Sequence, residues 1–131
     1  MITYKTILCV DDDEDDRFFL CNTIKTLAPQ LVVVEAGNGV EALAYLEHAK
    51  QSLPCLVVLD INMPLMDGKQ TLERIRADSA LSKLKIVFYT STENPYDRAF
   101  FQSIGIRMVT KPFNVEQLPQ IVSGFISTSC I

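Results

Sequence analysis

No stretch of this chain approaches the roughly 20 consecutive apolar residues that a membrane helix requires, so insertion into a bilayer is not expected. The opening residues, Met1-Ile2-Thr3-Tyr4-Lys5-Thr6, lack a long apolar run ending at a small-residue cleavage site, which argues against a secretory leader. Basic runs are missing as well. With a formal net charge of -4 and no cluster of Lys and Arg, the chain lacks the electrostatic footprint of a direct nucleic-acid binder. Its four cysteines, Cys9, Cys21, Cys55 and Cys130, are far apart and share no metal-ligand spacing. Cys9 and Cys55 lie inside apolar runs, where a thiol packs as a small hydrophobe, so core packing in a reducing cytoplasm is the expectation. The single histidine, His48, falls near the end of a helical pattern and reads as a surface or helix-terminal residue.

What is present describes a globular domain. Hydrophobic residues make up 48% of the 131 and charged residues 21%, enough to bury a core in one domain. Five short apolar runs alternate with longer amphipathic segments. The strands are Ile7-Leu8-Cys9-Val10, Leu31-Val32-Val33-Val34, Cys55-Leu56-Val57-Val58-Leu59 (opened by Pro54), Ile86-Val87-Phe88-Tyr89 and Met108-Val109-Thr110. Between them, helical spacing covers residues 13–27 through Phe18, Cys21, Ile24 and Leu27, and 40–49 through Ala42, Leu43 and Leu46. A third helix carries Leu72 and Ile75, with Leu81 near its end, and a fourth spans 95–104, begun by Pro95. Asn114 reads as the cap of a last helix reaching about Phe125, with Gln117 placed to complete a capping box and Pro119 delaying or kinking it. Continuous apolar strands alternating with amphipathic helices predict a doubly wound parallel α/β sheet covered on both faces.

In such a sheet the carboxyl ends of the strands form the functional edge. The first strand stops at Asp11 and Asp12, the third at Asp60, the fourth at Thr90 and the fifth just before Lys111. Six of the sixteen acids lie between Asp11 and Asp16. Several carboxylates on one edge repel each other and need a cation, and an all-oxygen set suits Mg²⁺. An aspartate carboxylate is also a nucleophile able to form an aspartyl phosphate, with the metal and Lys111 neutralising the phosphoryl oxygens. Asp13 is the natural cap of the first helix, and Glu14, Asp15 and Asp16 read as solvated first-turn acids favoured by the helix dipole.

The set Val10-Asp11-Asp12, Leu59-Asp60-Ile61-Asn62-Met63-Pro64 with Met66-Asp67-Gly68, Thr90-Ser91, and Lys111-Pro112-Phe113 resembles the receiver domain of two-component response regulators, in order and across nearly the whole chain. The resemblance implies a flavodoxin-like (βα)5 fold, strand order 2-1-3-4-5, as a single stand-alone domain over 1–131 with its core at about 6–126 and no output domain. It makes Asp60 the phosphoacceptor. Asp12 and Asp60 would bind Mg²⁺ through carboxylates, Asn62 through its carbonyl and Asp11 mainly through water. Thr90 matches the switch hydroxyl, with Ser91 beside it, and Lys111 the phosphate-binding lysine, whose bond to Pro112 is usually cis in the family. Phosphate would come from a sensor histidine kinase or phosphotransfer protein. Output would pass by contact with a downstream protein, with phosphorylation-dependent homodimers as a further expectation, and no enzyme activity beyond the domain's own phosphotransfer and dephosphorylation.

Two features depart from the family. Met108 occupies the position, three before Lys111, that usually holds a readout aromatic, and the turn between Gly105 and Lys111 is one residue short. The resemblance implies that phosphate lifetime depends on residues flanking the pocket, Met66 and Thr92 among them. Phe100 and Phe101 are adjacent, so one of them is expected to face solvent. A haloacid-dehalogenase-type phosphohydrolase would need a second Asp two residues after the nucleophile, where Asn62 stands. A flavodoxin would need a phosphate-cradling loop where the acids lie. A receiver-like interaction module that works without phosphorylation is the remaining alternative.

Overall fold

Strand formation follows the β-branched and leucine runs. The computed structural model describes residues 5–91 and 94–130, so Thr92 lies outside the described residues. Five strands, β1 Thr6–Val10, β2 Val32–Ala36, β3 Leu56–Leu59, β4 Ile86–Thr90 and β5 Arg107–Thr110, form one sheet in the order β2-β1-β3-β4-β5. Every pairing is parallel, with Val10 opposite both Ala36 and Leu59, and Thr90 opposite Thr110. The expected fold and strand order are those observed. The central strands β1, β3 and β4 are buried on both faces, while the edges β2 and β5 are partly exposed.

Five helices cover the sheet: α1 Glu14–Leu27, α2 Gly39–His48, α3 Gly68–Ala77, α4 Pro95–Ser103 and α5 Leu118–Ser129. On one face, Leu8, Val57, Leu59 and Phe88 pack against Ala42 and Leu46 of α2, Ile75 of α3 and Phe101 of α4. Phe88 and Phe101 stack with ring centroids 4.2 Å apart. On the other, Ile7, Cys9, Val58 and Tyr89 meet Leu20, Cys21 and Ile24 of α1 and Val122 and Phe125 of α5. Phe101 is buried and Phe100 is 54% exposed, as their adjacency requires.

Several local readings are corrected. The buried stripe of α1 is Leu20, Cys21 and Ile24, whereas Phe18 and Leu27 are exposed, because α1 leans against both the sheet and α5 and its apolar face is rotated towards that seam. Leu81 is buried in the turn beyond α3, not in its last turn. Asn114 caps a short 3₁₀ turn, Val115–Gln117, by accepting from the Glu116 amide. The last helix proper starts at Leu118 with Pro119 in its first turn, where a missing N–H costs nothing, and continues past Phe125 to Ser129. Cys55 is not a lone core thiol: it forms a disulfide with Cys130, 75 residues away, because the start of β3 and the end of α5 meet at the amino edge of the sheet. Cys9 and Cys21 are free and buried as expected. Among the described residues no helix is long and apolar enough to cross a membrane.

Two backbone devices shape the sheet's connections, one at Gly105 on the amino edge ahead of β5 and one at Gly68 on the functional edge. Gly105 takes φ 74° just after α4, and the turn it makes returns the Ile106 amide to the Phe101 carbonyl at 2.8 Å. Gly68 opens α3 so close to β3 that an added Cβ would lie 2.2 Å from the Asp60 carbonyl oxygen. Its amide donates to the Ile61 carbonyl at 2.7 Å, folding the loop after β3 back over the strand end. A capping box between Asp67 and Gln70 fixes that helix start.

Candidate functional site

At the carboxyl edge the ladder hydrogen bonds run one residue past the strands, and they place the acids. The Asp11 amide donates to the Ala36 carbonyl at 3.1 Å, and the Asp60 amide to the Val10 carbonyl at 3.0 Å. Asp11 and Asp60 are therefore anchored side by side, and both are buried. Their side chains are oriented locally. The Asp13 amide donates to Asp11 Oδ1 at 3.0 Å, and the Ile61 amide to Asp60 Oδ1 at 2.8 Å. Asp12 is exposed beside them. Asp11, Asp12 and Asp60 each offer one carboxylate oxygen, and these lie within 4.8 Å of one another. A cluster this tight, all oxygen and trianionic, fits a hard divalent cation.

Lys111 arrives from the far edge. The β4–β5 register puts Thr110 opposite Thr90, and the Lys111 amide donates to the Thr90 carbonyl at 2.8 Å, so the short turn after Gly105 does not displace it. Lys111 Nζ lies 2.7 Å from Asp11 Oδ2, 2.8 Å from Asp16 Oδ2 and 3.5 Å from Asp60 Oδ2. It also sits 5.8 Å from the centre of the Tyr89 ring. Burial pulls the Lys111 ammonium down, but the hydrogen bonds to Asp11 and Asp16 and the nearby carboxylate charges outweigh it, and its pKa lies above the ordinary lysine value. Burial pushes Asp11 up to about 6 even though Lys111 and the Asp13 amide oppose the shift. Burial likewise pushes the Tyr89 hydroxyl up to about 12.

The other expected residues fall around this core. Thr90 is fully buried at the end of β4, and Ser91 follows it into solvent. Asn62 is exposed in the loop after β3. In that loop Leu65 adopts φ 68°, a left-handed conformation costly for a branched residue. Met108 is buried on the α4 side of the sheet with Phe88, Phe101 and Ile106. The Lys111–Pro112 bond, expected cis, is trans, since no described peptide bond is cis. Proline accepts either isomer at small cost; Phe113 beyond it is fully exposed, while Lys111 stays on the acids.

Three residues escaped the sequence reading. Asp16, expected in solvent, turns back to Lys111; nothing separates it from Glu14 and Asp15 until the phase of α1 against β5 is known. Arg17 donates from Nη1 to the Asp11 carbonyl at 2.6 Å and from Nε to Glu35 at 3.0 Å, bracing the end of β1 against β2. Lys69 pairs with the buried Asp97, tying α3 to α4 near the same edge.

Comparison with known proteins agrees with this geometry. The sequence model of the response regulator receiver domain matches residues 7–123. Response regulator Rcp1 of Synechocystis is 27% identical over 128 residues, covering 94% of this chain and 87% of Rcp1. Response regulator Rre1 of the same organism is 37% identical over 93 residues, which are 70% of this chain but 39% of Rre1. The chain spans only 15% of the sensor histidine kinase CheAY of Helicobacter pylori, to which it is 30% identical. Among solved structures, the phosphorylated cyanobacterial phytochrome response regulator RcpA superposes with a TM-score of 0.86 at 30% identity, covering 97% of this chain and 94% of RcpA. The Mn²⁺-bound form of Rcp1 superposes with a TM-score of 0.81 at 27% identity, covering 94% of this chain and 92% of Rcp1.

Proposed function

Since this chain belongs to the response regulator receiver family of two-component signalling, whose domains take phosphate from histidine kinases, we propose that it is a phosphorylation switch with Asp60 as phosphoacceptor. The observation that carries this reading is the meeting of Asp60 with Asp11, Asp12 and Lys111 at one edge of the sheet. An oxygen of the Asp60 carboxylate attacks the phosphorus of the donor. The bond from phosphorus to the donor nitrogen or oxygen breaks with its electron pair, and the leaving group takes up a proton. The Ile61 amide and Lys111 orient the nucleophile. Lys111 then donates to the phosphoryl oxygens.

Asp12 and Asp60 would hold Mg²⁺ with the Asn62 carbonyl, and Asp11 would act mainly through water; the cation supplies charge neutralisation during transfer. The Mn²⁺ in Rcp1 supports a divalent ion in this family. Thr90, buried at the end of β4, is the hydroxyl that the phosphate draws inward, with Ser91 at the pocket rim. Because Met108 is already packed against Phe101, the readout is a repacking of α4 against β5 rather than the inward swing of an aromatic ring. The donor is a histidine kinase or phosphotransfer protein, the output a protein contact, with phosphorylation-dependent pairing of two copies as one form of it.

Incubation with Mg²⁺ and acetyl phosphate should add one covalent phosphate by intact mass, and Asp60→Asn should abolish it. Undiminished incorporation in Asp60→Asn would remove Asp60 from this role. No incorporation in the wild type, with beryllofluoride also without effect, would favour an interaction module that works unphosphorylated.

A further inference from the structure

Lys111 has three ammonium hydrogens, and three carboxylates surround it. Two of these, Asp11 and Asp60, stand at the strand ends where the family pattern places acids. The third, Asp16, comes from the first turn of α1. Its neighbours behave differently: Asp13 spends its carboxylate on the amides of Asp15 and Asp16, and the side chains of Glu14 and Asp15 belong to exposed residues. The Asp16 contact is as short as the Asp11 contact, 2.8 Å against 2.7 Å, yet the Asp16 side chain is 42% exposed and that of Asp11 3%.

A phosphoryl group on Asp60 brings between one and two negative charges and needs a donor from Lys111. Asp60 gives up its own 3.5 Å contact as its carboxylate becomes an acyl phosphate, and any further donor for the phosphoryl oxygens must come from Asp11 or Asp16. Asp11 is buried and tied to the Asp13 amide, so losing Lys111 would strand its charge. Asp16 can rehydrate where it stands. Until it moves, its oxygen and a phosphoryl oxygen on the same ammonium would be roughly 4–5 Å apart, well inside the screening length of ordinary buffers.

We propose that Asp16 is a positioning residue that holds Lys111 while Asp60 is unphosphorylated and whose charge opposes entry of the phosphoryl group. Asp16 thereby sets how readily the switch is loaded by an anionic donor. This rests on Asp60 being the phosphoacceptor, and the test separates the two claims.

The initial rate of phosphate incorporation from acetyl phosphate and Mg²⁺ is measured by intact mass for wild type, Asp16→Asn, Asp16→Glu and Asp15→Asn, at low salt and at high salt, with Asp60→Asn as the blank. Beryllofluoride affinity, read by fluorine NMR, gives an equilibrium counterpart. Asp16→Asn is expected to raise the rate by about tenfold and to tighten beryllofluoride binding in proportion, and the gain should shrink at high salt. Asp16→Glu keeps the charge and should stay near wild type. Asp15→Asn removes the same charge from the same helical turn without touching Lys111, and should also stay near wild type. Equal rates for Asp16→Asn and Asp15→Asn, or Asp16→Glu matching Asp16→Asn, would overturn the role of Asp16 while leaving Asp60 in place. No incorporation in the wild type would overturn both.

Discussion

Asp11 is the residue at which folding and the proposed cation site meet most directly. Its carboxyl is pushed up to about 6 by burial, from an unfolded value near 3.8. The folded state therefore binds the proton more tightly than the unfolded chain, so this group's contribution to stability is fully present below the unfolded value and is lost as pH rises through about 6. In metal-free buffer, the difference in melting temperature between wild type and Asp11→Asn should widen against the wild type from pH 4 to pH 7. A pH-independent difference would show that burial does not govern this carboxyl. The same proton would compete with the proposed divalent cation, so Mn²⁺ affinity measured by calorimetry should weaken as pH is lowered through about 6. Leu65 offers a milder residue-scale test. Its left-handed backbone favours Asn or Gly, and Leu65→Asn should stabilise the fold by up to ~1 kcal/mol in urea denaturation.

Elements are held at this edge by how closely α3 approaches β3. Gly68→Ala would drive a methyl into the Asp60 carbonyl oxygen, the Ile61 Cα and the Phe88 ring, none of which is a flexible side-chain end. It should cost about 1–3 kcal/mol by denaturant titration and should also slow phosphorylation, because the strand end that carries Asp60 has to shift. On α4, Phe101→Ala removes the ring stacked on Phe88 and should cost about 3–5 kcal/mol. These elements also show what the linear pattern can and cannot reveal. The central strands and the acids at their ends were legible because burial on both faces leaves uninterrupted apolar runs that stop where the functional edge begins. Phe18 and Leu27 misled because their spacing is helical, while the burying face is chosen by α5, a partner that local periodicity does not contain. Asp16 was hidden for the same reason: its partner, Lys111, is 95 residues away.

For the molecule as a whole, the clearest departure from expectation is the bond between Cys55 and Cys130. Closing a loop of 75 residues removes much conformational freedom from the unfolded chain, and the oxidised protein should exceed the reduced one by about 2–4 kcal/mol in stability. Denaturation with and without dithiothreitol measures this. Cys130→Ser should match the reduced wild type and no longer respond to the reductant. In a reducing compartment both thiols would be free, and α5 would keep its place through Leu118, Val122, Phe125 and Ile126 alone.

That bond also decides how the molecule bears a pulling force. Stretched between its ends while oxidised, the chain passes backbone tension from Cys55 straight to Cys130, and the intervening strands and helices feel it only through their packing on the rest, as β3 does through its pairing with β1. Those 75 residues represent roughly 250 Å of contour that tension cannot draw out until the sulfurs part. Everything from the start of β3 to the end of α5, Asp60, Thr90 and Lys111 included, lies within that shielded length, while Asp11 and Asp16 lie outside it.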